Sequence, residues 1–394
     1  HGGVPKNAVL FFVPVILLLP LLPTALSRVF AFILSWFESR ARFKALISAV
    51  VYLVFFGVLM LGSLQLNSCL AVLLSHAEAL RTALQKWATP FYWVRDCLVD
   101  GSFLALFQLA ALSLGLFFAV TLLFSRFFKP LVSRLSARSA RSDYQLGTLR
   151  GSSAFSALYK KELRRYFTCT MYLFNTGVGM VLLLFGAGYA LVSREKLLAL
   201  LEQLVSFGVD RDAVVSVLLM ALCFLLGLTC VTAPSISLEG KQLWILKESP
   251  VSARAIFCAK LLLQMTITAP PLLLSLPCIG FALELSVFTV LTLFATGLLL
   301  SLLNGAIGLL INLKLPKLDG SNDTVIVKQS ASVLCTLLAS VVMVGSTMLL
   351  FRLLHTPLGN NRALLVLCAL LAFATLLFFR LLNTRGKALF DALN

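Results

Sequence analysis

The strongest constraint on this chain is a series of apolar stretches, each about as long as a bilayer is thick. A membrane-crossing helix takes roughly 20 residues. Windows of that length fall at Ala8–Leu26, Ala45–Gln65, Phe103–Phe124, Met171–Val192, Ala213–Ala233, Ala255–Leu283, Ser286–Leu313, Ala331–Leu354 and Arg362–Leu382, nine in all. In hydrocarbon the backbone must satisfy its own hydrogen bonds, and a single apolar segment does so as a helix. Composition agrees: 60% of the residues are hydrophobic and 12% charged, with a mean hydropathy of +0.98. Soluble domains run near 45–50% apolar and about 25% charged. The expected fold class is an all-α polytopic membrane protein.

The net charge of +17 does not point to nucleic acid, because the basic residues gather in links beside apolar spans. That is the positive-inside pattern. The link Ser125–Thr170 carries ten Lys and Arg residues against Asp143 and Glu162 and is expected in the cytoplasm. Counting spans from it puts Arg28–Lys44, Ser235–Arg254, Lys314–Lys328 and the Arg385–Asn394 tail inside as well. Leu66–Ser102 and Ser193–Asp212, charge-balanced or slightly acidic, fall outside. The nine cysteines fit no metal spacing; Cys69 and Cys97 share the first outer link, which allows a disulfide between them. The first apolar run lacks the basic region and cleavage site of a signal peptide. With the outside N-terminus and the His-Gly-Gly start, this leads us to expect a fragment of a longer protein.

Some spans carry marks of their own. Pro270, Pro271 and Pro277 are expected to break the sixth, and Gly305 and Gly308 to loosen the seventh. Thr121–Arg126 (TLLFSR) closes the third span and Thr375–Arg380 (TLLFFR) the ninth. The order span, basic link, span, outer link, span is also shared, so spans one to three read as a repeat of spans seven to nine. The expected divisions are 1–130, the last three helices of a first repeat; 131–170, a basic connector; and 171–394, a complete six-helix repeat.

Two stretches outside the spans draw attention. In Phe155–Phe167 (FSALYKKELRRYF), Phe155, Leu158, Tyr159, Leu163, Tyr166 and Phe167 recur at helical spacing, and Lys160, Lys161, Arg164 and Arg165 fill the other face. This reads as an amphipathic helix in the interface, its cations near anionic headgroups. Ser235–Pro250 (SISLEGKQLWILKESP) hangs between two spans and is too short and charged to cross. As a helix it would set Leu243, Leu246 and Lys247 on one side, with Leu238, Glu239, Gly240, Lys241 and Trp244 nearby. In the outer link, Leu70, Leu73, Ala77, Leu80, Leu84 and Trp87 form an apolar stripe, and Phe91-Tyr92-Trp93 an interfacial aromatic belt. Polar residues inside spans are few. Gln264 and Asn304 are candidates for a substrate path, with interhelical hydrogen bonding as the plainer reading. There is no P-loop, no H-E-x-x-H, no Cys/His cluster and no catalytic constellation. These absences leave no catalytic or metal residue to name.

Together the amphipathic helix, the charged Trp-bearing link and the six-span count of residues 154–394 resemble the permease subunits of type-2 ABC transporters; Tyr172–Gly179 (YLFNTGVG) is similar to Gram-positive members. The resemblance implies a multi-pass permease of the cytoplasmic membrane. An ATPase on a separate partner subunit would move a substrate, usually outward, with ATP and Mg bound by that partner. It also implies that Leu238–Lys247 forms a coupling helix docking on the ATPase. The link His355–Asn361 is shorter than the helical re-entry many members fold there. A secondary transporter or channel, and a non-transporting membrane scaffold, remain as alternatives, although no ionisable group is expected inside a span, as proton coupling would need.

Overall fold

A computed structural model describes residues 8–40, 57, 62, 89–140, 153–207, 213–320 and 323–393, all helix and loop. Six segments among them are helical, long and apolar enough to cross a bilayer: Phe11–Ala31, Phe103–Arg126, Thr170–Val192, Ala253–Ala282, Val287–Lys314 and Asp323–Ala392. The chain divides into two compact units, the second of which comprises residues 150–394 with the short segment 49–53.

The first unit holds α1 (Ala8–Leu18), α2 (Leu21–Arg40), α3 (Thr89–Val99) and α4 (Phe103–Ala140). Its small core gathers Phe11, Val15, Cys97, Ala105 and Leu109. Arg28 on α2 donates to the Thr121 hydroxyl of α4 at 2.7 Å and lies 4.5 Å from the Phe117 ring centroid. A cation inside an apolar helix is thereby given both a hydrogen-bond acceptor and a π face. Phe91, at the head of the expected aromatic belt, is exposed. Cys97 is a free, fully buried thiol. The second span expected from sequence, the apolar stripe of the outer link and Cys69 lie outside the described residues.

The second unit begins with α5 (Ala154–Thr168), α6 (Thr170–Val192), α7 (Arg194–Ser206) and α8 (Ala213–Leu228). It continues through α9 (Leu243–Glu248), α10 (Ala253–Ala282), α11 (Val287–Lys314), α12 (Asp323–Gln329), α13 (Ala331–Leu381) and α14 (Lys387–Ala392). Serines mark four of the starts. Ser153, Ser252, Ser286 and Ser330 each accept a hydrogen bond from the backbone N–H three residues on, satisfying a donor that the helix leaves free. α11 sits at the centre, in contact with α8, α10 and α13. The main core joins Leu183, Leu219, Leu222, Leu226, Leu272, Leu276, Leu300, Leu364 and Leu367. The helix of the basic connector, α5, packs on α6 and α10 and so belongs to this unit.

Three expectations need correction. The break at Pro270-Pro271 is absent, since α10 runs unbroken over 30 residues with three prolines inside. Proline's fixed φ is itself helical. Thr268, Leu272, Ser275 and Leu276 around Pro270-Pro271 are buried against neighbouring helices, which in a membrane can absorb the groups a proline frees. Gly305 and Gly308 do not loosen α11; they let it be approached. A Cβ at Gly305 would stand 3.1 Å from Gln264 Cγ, and one at Gly308 3.0 Å from the Thr232 hydroxyl. The fifth span, read as Ala213–Ala233, stays helical only to Leu228. Ala233 precedes Pro234 and is disfavoured from helix, and the chain leaves the α conformation at Thr229. The eighth and ninth stretches are both helical and are joined within α13, two legs that meet at a kink; the second stretch, Ala45–Gln65, lies mostly outside the described residues, so the count of nine is not confirmed. α13 changes direction at Gly359, whose φ of 73° suits glycine. Asn312 and Asn304 of α11 bond Ser332 and Ser340 before the turn. Thr289 and Thr296 bond Asn361 and Cys368 after it. The first leg therefore runs antiparallel to α11 and the second parallel to it.

Candidate functional site

Between α8 and α9 the chain runs from Thr229 to Glu239 without α-helix, and every residue in that run is buried. Buried backbone outside regular structure must find partners or cost free energy. Here polar side chains from α10 and α11 supply them. Gln264 accepts from Val231 N at 2.7 Å and donates to the Thr229 carbonyl at 2.7 Å. Asn304 donates to the Leu226 carbonyl at 3.0 Å and accepts from the Ser340 hydroxyl at 2.9 Å. Asn312 accepts from Ile236 N at 2.7 Å and Ser237 N at 3.1 Å, and donates to the hydroxyls of Ser237 and Ser332. Thr232 donates to the Gly305 carbonyl at 2.6 Å, and Tyr172 to the Val231 carbonyl at 2.6 Å.

Gln264 and Asn304, the two candidates for a substrate path, are thus fully buried and spend both ends of their amides on the protein's own groups. Asn312 does the same work and was not singled out from sequence. Its signal was that of Gln264, an amide inside an apolar run. Replacing Asn312 by alanine strands two buried N–H groups, each worth about 1–3 kcal/mol. We expect Asn312→Ala to lower the thermal unfolding midpoint in detergent by several degrees, whereas an unchanged midpoint would mean that the segment has other support.

The buried run ends in a cluster of charge. Glu239, at 4% exposure, accepts from Lys161 at 2.7 Å and Lys260 at 3.1 Å on one oxygen, and from Arg165 at 2.9 Å on the other. Lys260, at 1% exposure, also donates to Glu162 at 2.8 Å and to the Ser235 carbonyl at 3.0 Å. Arg165 donates as well to the Leu238 carbonyl. Burial alone would push the Glu239 carboxyl up, but Lys260, Lys161 and Arg165 outweigh it and hold it well below the usual carboxylate range. Behind the cluster, burial pushes the Tyr166 phenol up to about 12, so it acts there as a neutral hydrogen-bonding group.

This arrangement revises the reading of α5. Leu158 and Tyr166 face inward as expected, but Glu162 shares that buried face. Its position four residues after Leu158 and four before Tyr166 was the readable sign. Tyr159 is half-buried, its hydroxyl 2.8 Å from that of Thr266. Lys161 and Arg165 turn to Glu239 rather than to headgroups; Lys160 and Arg164 remain exposed. Lys260 corrects the expectation that no span holds an ionisable group, because it lies on the eighth residue of α10.

Beyond Glu239 the chain turns at Gly240, with φ of 52°, into α9. Leu238, Leu243 and Leu246 are buried, the last two in a core with Leu158, Ile236, Phe257, Leu313 and Phe390. Lys247 is half-buried and donates to the Asp391 carbonyl at 3.1 Å and to that of Leu393. Ser249, before Pro250, is extended and closes the helix. The side bearing Leu243, Leu246 and Lys247 therefore faces the protein. The free side presents Lys241, Gln242, Trp244, Ile245 and Glu248, with Trp244 63% and Ile245 52% exposed. Among the described residues no group of three or more His, Cys, Asp or Glu could hold a metal ion. The region is thus a short helix with an exposed Trp244 on its outer face, fastened from behind by buried leucines and Lys247. Comparison of the chain with protein-family models, curated proteins and solved structures finds no match.

Proposed function

We propose that this chain is the membrane-embedded permease subunit of a type-2 ABC transporter, working with an ATPase on a separate partner subunit. One observation carries the reading: α9 exposes Trp244 and Ile245 while the backbone leading to it is pinned by Glu239 and Asn312. A solvated turn has no use for a carboxylate buried among three cations. A surface that passes force from a moving partner into α5, α10 and α11 needs such a rigid mount. On this reading ATP and Mg belong to the partner, and the membrane is the cytoplasmic one.

A secondary transporter is the second reading, and Lys260 with Glu162 and Glu239 favours it as an ionisable group inside a span. Against it, all three are closed off, and Lys260 pairs with both carboxylates. Purification of the full-length protein from its own membrane decides between the two. Co-purification of an ATPase whose hydrolysis responds to the permease supports the proposal. Purification without any ATPase, together with transport that follows a proton gradient, overturns it.

Orientation has its own test. Cys97 is too buried to report it, so exposed positions are used, in a Cys69→Ser background. Glu202→Cys on α7 should react with a membrane-impermeant maleimide in intact cells. Lys241→Cys should react only after permeabilisation. The opposite order would reverse the topology read from loop charge.

A further inference from the structure

At the end of the second unit opposite the charge cluster lies a cavity of about 520 Å³. The two ends are joined by α11, which spans 28 residues, or roughly 42 Å at 1.5 Å per residue. The cavity is set between α7, the start of α8, the α10–α11 turn and the change of direction in α13. Its volume falls in the range of small-ligand sites, about 300–1,000 Å³. Leu198, Leu201 and Val215 make part of an apolar lining, and Glu202, Glu284 and Arg362 bring charge of both signs.

Three features set it apart from a chance hollow. Glu284 adopts φ of 54° in the α10–α11 turn, a left-handed conformation that a non-glycine residue rarely takes; strain kept at a cavity is a pointer to use. Its carboxylate is steadied by Arg194 at 3.1 Å, whose guanidinium lies 4.7 Å from the Phe281 ring centroid. Glu202 and Arg362 are both exposed, and neither forms an ion pair among the described residues. A ligand of one charge sign would leave one of them unmatched; a ligand carrying both would match each. The cavity also lies where two long apolar helices end and begin, the depth of lipid headgroups. Leu200, Leu204 and Phe207 stand exposed along the adjoining α7.

We infer that this cavity binds a zwitterionic amphiphile of the phosphocholine or phosphoethanolamine type. Arg362 would take the phosphate, Glu202 with Glu284 the ammonium, and the leucines the start of the chain. The inference goes beyond the permease reading and stands without it.

The test uses the full chain in dodecyl maltoside and a photoactivatable dodecylphosphocholine. Labelling should map to peptides covering residues 198–202 and 358–362, and unlabelled dodecylphosphocholine should compete. Each exposed ion pair is worth up to about 1 kcal/mol, so the double variant Glu202→Gln, Arg362→Gln should lose roughly tenfold in labelling. Leu201→Trp, which fills the apolar part, should also weaken it. Glycerophosphocholine, which has the head without the chain, should compete poorly; full competition by it would mean a headgroup-only site and overturn the amphiphile. Equal labelling of the double variant, or equal labelling by a maltoside-headed photoprobe, would reduce the site to a greasy hollow and overturn the inference.

Discussion

Lys260→Met should destabilise the second unit by about 3–5 kcal/mol, the usual cost of removing one partner from a buried ion pair. Among the described residues Lys260 is the sole cation that reaches Glu162 at less than 3 Å, and it also bonds Glu239 and the Ser235 carbonyl. Without it Glu239 keeps Lys161 and Arg165, but Glu162 keeps only Lys161 at 3.5 Å. The orphaned charge is therefore mostly that of Glu162. The unfolding midpoint in detergent should drop on the order of 10 °C, and adding Glu162→Gln should recover most of the loss. A midpoint equal to that of the wild type, or no recovery in the double variant, would show that the cluster is not what holds α5 to α10. Glu239 adds a pH dependence. Its carboxyl is lowered in the fold, so its contribution is complete above the ordinary carboxylate value of about 4 and disappears as pH falls through the lowered one. Between neutrality and about pH 5, this group should leave stability flat.

The second large effect follows from the proposed permease reading and concerns the ATPase partner which that reading calls for. Trp244→Ala should cost about 2 kcal/mol or more of ATPase binding, roughly 30-fold, with insertion and thermal stability unchanged. Trp244 projects from a fixed helix, and its truncation disturbs no core. Lys241→Ala, a rim charge, should cost less than about 1 kcal/mol. Leu243→Ala and Leu246→Ala should behave differently from both. They empty buried positions and should lower stability by about 2–5 kcal/mol, losing the partner only through misfolding. A pull-down comparing wild type and Trp244→Ala, with transport-coupled ATP hydrolysis as the second readout, separates docking from mere anchoring in the headgroups. Equal recovery and normal hydrolysis would leave α9 an ordinary loop helix.

Much of the architecture was legible in the chain. Apolar runs such as Met171–Val192 and Ser286–Leu313 became α6 and α11 nearly as bounded. Tyr166 and Leu158 marked the inner face of α5 through helical spacing alone. Other features misled for local reasons. Pro270 and Pro271 read as a break because the cost of a proline is local, while the packing that absorbs it comes from neighbouring helices. Leu243 and Leu246 read as one side of an implied coupling helix, but that side faces the protein's own core, because periodicity says that two residues share a side, not what that side meets.

What the sequence determined by itself is the class of fold and, among the described residues, the place of most of its long apolar helices. The reason is that backbone hydrogen bonding and apolar transfer act over the 20 or so residues of one segment. The tertiary structure alone decided how the polar groups are spent. Lys260 finds Glu162 from 98 residues away, and Asn312 reaches Ile236 from 76. An amide or a charge in an apolar run states only that it needs a partner. Which partner it gets, whether an unwound backbone, a carboxylate or a substrate, depends on which helices pack beside it.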